Sequence, residues 1–397
     1  MYNSRVIKVP LFGLLFFAGF GYTPYIDYRF SYTIYLIAFV ALFYKLIVEK
    51  IRFTKGQLIS ISLLVILNSL SLYSSNLNEN ILKSFIYLFI PISLYLVAMH
   101  SQKPTIQDLR VILLTLFMAS LCMLAAQYFI LPQVGIVYDE IAGVTWGKTY
   151  RANWATFRVT GFSGNANTAA SHFVLLGSII ISLREKTSSN IIAPLLIVSM
   201  IVAITVFTKS RHSLGLFGIS LTYLTYRNHL NKSYIVVIMA ALVYYLLTIN
   251  IYEIEFIKYF TRAQSSIDIG DAFTNRIFIN SSIFQTYMES NIIWFGGGFK
   301  LEPRILLSLN VFRLYSENLF LKILIENGII GLVIISIIFR QMILNIDANF
   351  RDIGVLIVIN MLFSSFFETT YLQNSLFYFV LVIIGLISKT KQVIHTQ

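Results

Sequence analysis

Apolar runs of roughly 18 to 25 residues recur along this sequence from one end to the other. Nothing constrains a fold more, because a helix of about 20 apolar residues matches the roughly 30 Å hydrocarbon core of a bilayer. Twelve such segments are readable, near 6–22, 31–48, 57–73, 81–99, 109–131, 166–183, 190–208, 212–227, 233–251, 317–340, 352–367 and 373–388. With 57% hydrophobic and only 12% charged residues among 397, the chain reads as an all-α polytopic membrane protein, a single integral membrane domain over 1–397. A transmembrane β-barrel is excluded, since its strands would alternate apolar and polar residues whereas these runs are continuous. The first run follows Arg5 and Lys8 as a signal peptide would, yet it ends at Phe20-Gly21-Tyr22-Thr23-Pro24 with no small-residue cleavage site, and is read as a retained helix. The single cysteine, Cys122, lies inside a run, so no intramolecular disulfide can form.

Twelve spans place both termini on one side, and the positive-inside rule makes that side cytoplasmic. Every inner segment then carries Lys or Arg, among them Lys45, Lys50, Arg52, Lys103, Arg110, Arg184, Lys186, Arg227, Arg340, Arg351 and Lys389. The short outer connections near 23–30, 74–80 and 368–372 hold only Arg29. Two outer connections are long, 132–165 and 252–316, and long loops cross a membrane largely regardless of charge. Their cations, together with the tight turn at Lys209-Ser210-Arg211, put Arg151, Arg158, Arg211, Arg262, Arg276, Lys300, Arg304 and Arg313 on one face of the membrane. Within a net charge of +12, the inner cations suit anionic lipid and the outer set suits an anionic ligand.

The 132–165 loop is rich in Trp and Gly (Trp146, Gly147, Trp154, Gly161, Gly164), which argues against disorder. At its end, in RVTGFSGNANTAASHF (Arg158 to Phe173), Gly161 and Gly164 permit a tight turn and Asn165 or Asn167 can cap the next helix. Arg158 just before a helix N-terminus resembles an anion site. In the Thr208–His212 turn the two cations can snorkel to lipid headgroups or line a pocket at the hydrocarbon boundary, the latter preferred for Arg211, and His212 is read as a turn residue because no His or Cys lies at ligand spacing from it. Asp268 and Asp271 are read as solvated, and Phe295-Gly296-Gly297-Gly298-Phe299 as a tight turn serving close packing.

The stretch SENLFLKILIENGIIG, Ser316 to Gly331, carries three charges where a span begins. Lys322 and Glu326 stand four residues apart on one helical face and can neutralise each other. Glu317 lies about 180° around the helix from Glu326, at the outer mouth, and is the functional candidate of the three.

Taken in order, these segments resemble the O-antigen polymerase and O-antigen ligase superfamily of bacterial inner-membrane proteins. The matching residues are Arg158, Thr160, Gly161, Phe162, Asn165 and Asn167, then Ser210 and Arg211, then Gly296, Gly298 and Phe299, and last Glu317, Asn318, Leu321, Glu326, Gly328 and Gly331. The family often has Asn-Pro-Asn where this chain has Asn165-Ala166-Asn167. Its ligases typically carry a His where this chain has Glu317, which favours a polymerase.

The resemblance implies a membrane-embedded, metal-independent glycosyltransferase of GT-C-like architecture in the bacterial inner membrane, with its active site facing the periplasm. Such an enzyme polymerises undecaprenyl-diphosphate-linked repeat units of a surface polysaccharide by moving the growing glycan onto the sugar of a new lipid-linked unit. The implied partners are the lipid-linked donor and acceptor, membrane lipid and a chain-length regulator protein, with no cofactor, metal or nucleic acid. A lipid diphosphate leaves as a stable anion, so cations to hold it and one base for the acceptor hydroxyl can suffice. In that scheme Arg211 and Arg276 bind diphosphate, Arg158 is a further phosphate or sugar contact, and Glu317 is the base. Asn318, Lys322, Glu326, Gly161, Asn165 and Asn167 support the site. The alternatives are a lipid-linked oligosaccharide flippase or other transporter, and a ligase.

Overall fold

A computed structural model of the chain describes residues 93–101, 103–129, 166–183, 191–208, 210–233, 283–289, 293–297, 318–365 and 375–389, with Val159 and a few isolated positions elsewhere. The described residues are mostly helical and contain no strand; a single antiparallel bridge joins Ile346 to Ser388. Three helical stretches among them, Ile106–Phe129, Leu319–Leu344 and Ala348–Ser365, are long and apolar enough to cross a membrane. At about 1.5 Å per residue, the 24 residues of the first reach about 36 Å. The exposed side chains on these helices include large apolar ones at helical spacing, as in Val111 and Met118, or Val333, Ile337 and Leu344. Such faces suit hydrocarbon.

The chain divides into two compact units. In the first (Met1–Phe30, Pro104–Phe273 and Val355–Ser364), helix α3 (Ala166–Ser182) is buried almost all round and packs on α2 (Ile106–Phe129), α4 (Ile192–Val202) and α5 (Arg211–Tyr226). Small residues let these backbones approach. A Cβ on Gly177 would stand 2.5 Å from the Met200 sulfur, and one on Gly215 would stand 2.8 Å from the Phe363 ring. Phe117 and Phe173 stack at 4.1 Å between α2 and α3. Helix α4 passes directly into a π-helical turn, Ala203–Thr208, and only residues 209 and 210 separate it from α5.

The second unit (Ser31–Lys103, Thr274–Gly354 and Ser365–Gln397) holds α1 (residues 93–99), α6 (residues 283–288), α7 (Leu319–Leu344), the start of α8 (Arg351–Ser365) and α9 (Ser375–Ile387). Gly385 of α9 lies against the Tyr95 carbonyl of α1, where a Cβ would come within 2.5 Å. Beyond α1, Lys103 Nζ donates to the Gly385 carbonyl at 3.0 Å. Burial pushes that ammonium down to about 8, with the Asp347 carboxylate pulling it back up.

The helices follow the apolar runs closely, with α3 at Ala166–Ser182 for an expected 166–183 and α2 at Ile106–Phe129 for 109–131. The run expected as one span over 317–340 differs. It is helical over Leu319–Leu344 but interrupted at Gly328, whose φ of 69° and ψ of −175° lie in a region open essentially to glycine alone. The cause is a second stretch of backbone pressed against it, described below.

Candidate functional site

Two segments about forty residues apart in sequence meet at the start of α5. Ser210 stands in extended conformation at the N-cap and Arg211 is the first helical residue. The turn is wound tightly enough that the Ser210 N–H donates to the Ile204 carbonyl at 3.1 Å. Thr208, fully buried, donates its hydroxyl to the Ala203 carbonyl at 2.8 Å. π-Turns of this kind concentrate at functional positions. From the other segment, the Val159 N–H donates to the Phe207 carbonyl at 2.9 Å. The chain position next to Arg158 is thereby tied to a residue four before Arg211.

A hydroxyl cluster surrounds His212. Its Nε2 lies 2.8 Å from Ser171 Oγ and 3.3 Å from Ser213 Oγ, and its Nδ1 lies 3.1 Å from Ser210 Oγ. Ser210 and Ser213 hydroxyls are 2.9 Å apart, and Ser213 donates to the Asn167 carbonyl at 3.4 Å. On the far side, the buried Asn360 of α8 donates its side-chain amide to the Ser171 carbonyl at 3.2 Å. Ser171, Ser210 and Ser213 are buried while His212 is half-buried. His212 is therefore not merely a turn residue; it sits in the first turn of α5 as the hub of a polar cluster. Sequence reasoning missed it because its partners come from α3 and the connection together; the available signal was the density of hydroxyls in Thr208–Ser213 facing a second Ser and Asn-rich helix start. Asn167 lies within α3, whose described residues begin at Ala166, and Asn165, the other expected cap, lies outside the described residues.

The second constellation is the broken helix. Asn318 caps α7, its side chain accepting from the Leu321 N–H at 3.0 Å. Lys322 and Glu326, only 2% and 7% exposed, follow on one face of the first segment. On another face Leu321 and Ile325 join Ile283 and the fully buried Tyr287 of α6 in a small core. Tyr287 donates its hydroxyl to the Ile293 carbonyl, holding the turn that follows α6. That turn then replaces α7's own ladder around the break. Gly297 N–H donates to the Ile325 carbonyl at 2.8 Å, Ile329 N–H to Ile293 at 3.0 Å, and Ile330 N–H to Trp294 at 3.2 Å. Gly296, at φ 73°, and Gly328 face each other's backbone segments so closely that any Cβ would lie within 2.4 Å of main-chain atoms. The expectation of a tight turn at Gly296 serving close packing describes this contact.

Of the other residues singled out in the sequence, Glu317, Arg276, Arg158, Gly161 and Asn165 lie outside the described residues, as do the 132–158 and 301–317 parts of the two long loops. Arg211 is placed by its backbone. No protein-family model matches the chain, and no curated protein matches it. The functional reading rests on the residues themselves.

Proposed function

We propose that this chain is a polytopic inner-membrane glycosyltransferase with twelve spans and cytoplasmic termini, which polymerises undecaprenyl-diphosphate-linked repeat units at the periplasmic face. The observation that carries this reading is the tether between the Arg158 and Arg211 segments, through the Val159 N–H and the Phe207 carbonyl at 2.9 Å. Arg158 and Arg211 stand one and four residues along the chain from the two ends of this tether, and guanidinium forks suit the charge and paired oxygens of a diphosphate. Arg276 of the long outer loop is the further cation this reading assigns to diphosphate. Glu317 stands one residue before the α7 cap at Asn318. In the reaction the acceptor hydroxyl attacks the anomeric carbon of the donor, the bond to diphosphate breaks with its electron pair on the leaving oxygen, and the proton passes to Glu317.

The broken helix favours a second reading, a lipid-linked oligosaccharide transporter. Discontinuous helices with buried charged residues beside the break recur at transport sites, and Lys322 and Glu326 precede Gly328 in that way. The two readings separate in cells lacking the protein. Loss of a polymerase collapses the surface glycan ladder to single repeat units, and loss of a flippase leaves lipid-linked units trapped inside. A ladder of normal length rules out the polymerase.

A further inference from the structure

We infer that His212 and Ser171 are positioning residues for Arg211, an inference that rests on the diphosphate-binding role proposed for that arginine. Arg211 is bracketed in the chain by Ser210 and His212, and both brackets are fixed from outside the turn. The hydrogen bonds around His212 close into one directed chain when the ring carries its proton on Nδ1. Nδ1–H then donates to Ser210 Oγ at 3.1 Å, Ser210 donates to Ser213 at 2.9 Å, and Ser213 donates to the Asn167 carbonyl at 3.4 Å. Ser171 then donates to the unprotonated Nε2 at 2.8 Å. In that arrangement each hydroxyl has a role and a direction, and the ring is held at both nitrogens.

Three elements are joined by this chain. Asn360 fixes the Ser171 backbone from α8 at 3.2 Å, Ser171 fixes the ring from α3, and the ring with Ser210 fixes the start of α5. The π-helical turn before it leaves Arg211 little slack, since the Ser210 N–H is already committed to Ile204. A bidentate arginine tolerates small displacement poorly, and a shift of about 1 Å can lower a rate by about 10²-fold. Removing the His212 lock while keeping Arg211 should therefore loosen the anion contact without removing it.

The test is binding of undecaprenyl diphosphate to the purified full chain in lipid nanodiscs, with thermal midpoints measured alongside. Arg211→Ala, His212→Ala, His212→Gln, Ser171→Ala and the pairs His212→Ala/Ser171→Ala and His212→Ala/Arg211→Ala are compared. His212→Ala and Ser171→Ala are each expected to weaken binding about tenfold, with the pair no worse than either alone because they belong to one chain. His212→Gln, which can still meet Ser171, should recover most of the loss and reports should the Ala variant fold poorly. Added to Arg211→Ala, His212→Ala should do nothing further. If Arg211→Ala binds like wild type, the diphosphate role of Arg211 is wrong and the positioning role falls with it. If Arg211→Ala weakens binding but His212→Ala and His212→Gln do not, or if His212→Ala weakens it equally without Arg211, the positioning role alone is overturned.

Discussion

Replacing Gly328 by Ala should disrupt the contact that organises α7. The residue sits at φ 69° and ψ −175°, and a Cβ there would meet the Trp294 carbonyl oxygen at 2.3 Å and the Phe295 nitrogen at 2.5 Å. These are main-chain atoms, so no side chain can swing aside to relieve the clash. Holding a non-glycine residue in that backbone region costs on the order of 1–3 kcal/mol. Displacing the neighbouring turn also strains three hydrogen bonds, from Gly297, Ile329 and Ile330, each contributing about 0.5–1.5 kcal/mol. A total loss of about 2.5–7.5 kcal/mol is a large share of the usual stability of about 5–15 kcal/mol. Gly218 supplies the contrast. It lies within α5, and nothing stands within 4 Å of its would-be Cβ. Gly218→Ala should therefore stabilise by about 0.5–1 kcal/mol through helix propensity. Thermal unfolding of both purified variants in one detergent measures the difference. A Gly328→Ala protein that melts with the wild type would refute the account of the break.

Other perturbations should have smaller or more local effects. Asn318→Ala removes the α7 cap and should lower stability by about 1 kcal/mol in thermal unfolding. Reversing Lys322 or Glu326 alone places like charges on a buried helical face and should cost about 3–5 kcal/mol, whereas reversing both restores much of it, as read by folded yield after purification. The Lys103 ammonium is pushed down to about 8 from its ordinary 10.5. Between those values the unfolded chain binds more protons at this residue than the folded one, so its contribution makes stability rise with pH across that window, and Lys103→Met should flatten the rise in unfolding midpoints. Single cysteines in a Cys122→Ser background should react with a membrane-impermeant thiol reagent from outside the inner membrane at Asp139, Asp268 and Asn310 and not at Lys103, Lys186 or Asp347. The reverse pattern would invert the topology.

The described helices were legible because a continuous apolar run admits few structures other than a buried or lipid-facing helix. Helix α3 starts and stops within a residue of the expected run, and the tight joint between Thr208 and Arg211 was visible as an absence of loop. The break at Gly328 was not legible. A lone glycine costs a helix only about 1 kcal/mol relative to Ala and need not interrupt it; here the interruption needs the Ile293–Gly297 turn, some thirty residues earlier, to supply substitute hydrogen bonds. The His212 cluster was hidden for the same reason. Its Ser171 and Asn360 partners lie 41 and 148 residues away along the chain, and hydroxyls and amides carry no periodic signal. What the sequence did expose was the pair of arginine-bearing segments that the Val159–Phe207 hydrogen bond joins.

The central claim is that carrier-linked glycan is extended here with Glu317 as the base, and extension in vitro tests it most directly. Purified protein is given undecaprenyl-diphosphate-linked repeat unit, and Glu317→Gln, Glu317→His and Glu317→Ala are compared with wild type at equal folded concentration. Wild type should build a ladder of products; Gln, which keeps shape but accepts no proton, should extend about 10²-fold more slowly, and His should retain part of the activity because it too can act as a base near neutral pH. Extension by the Gln variant at the wild-type rate would contradict the assignment of Glu317, and no extension by folded wild-type protein would contradict the polymerase itself.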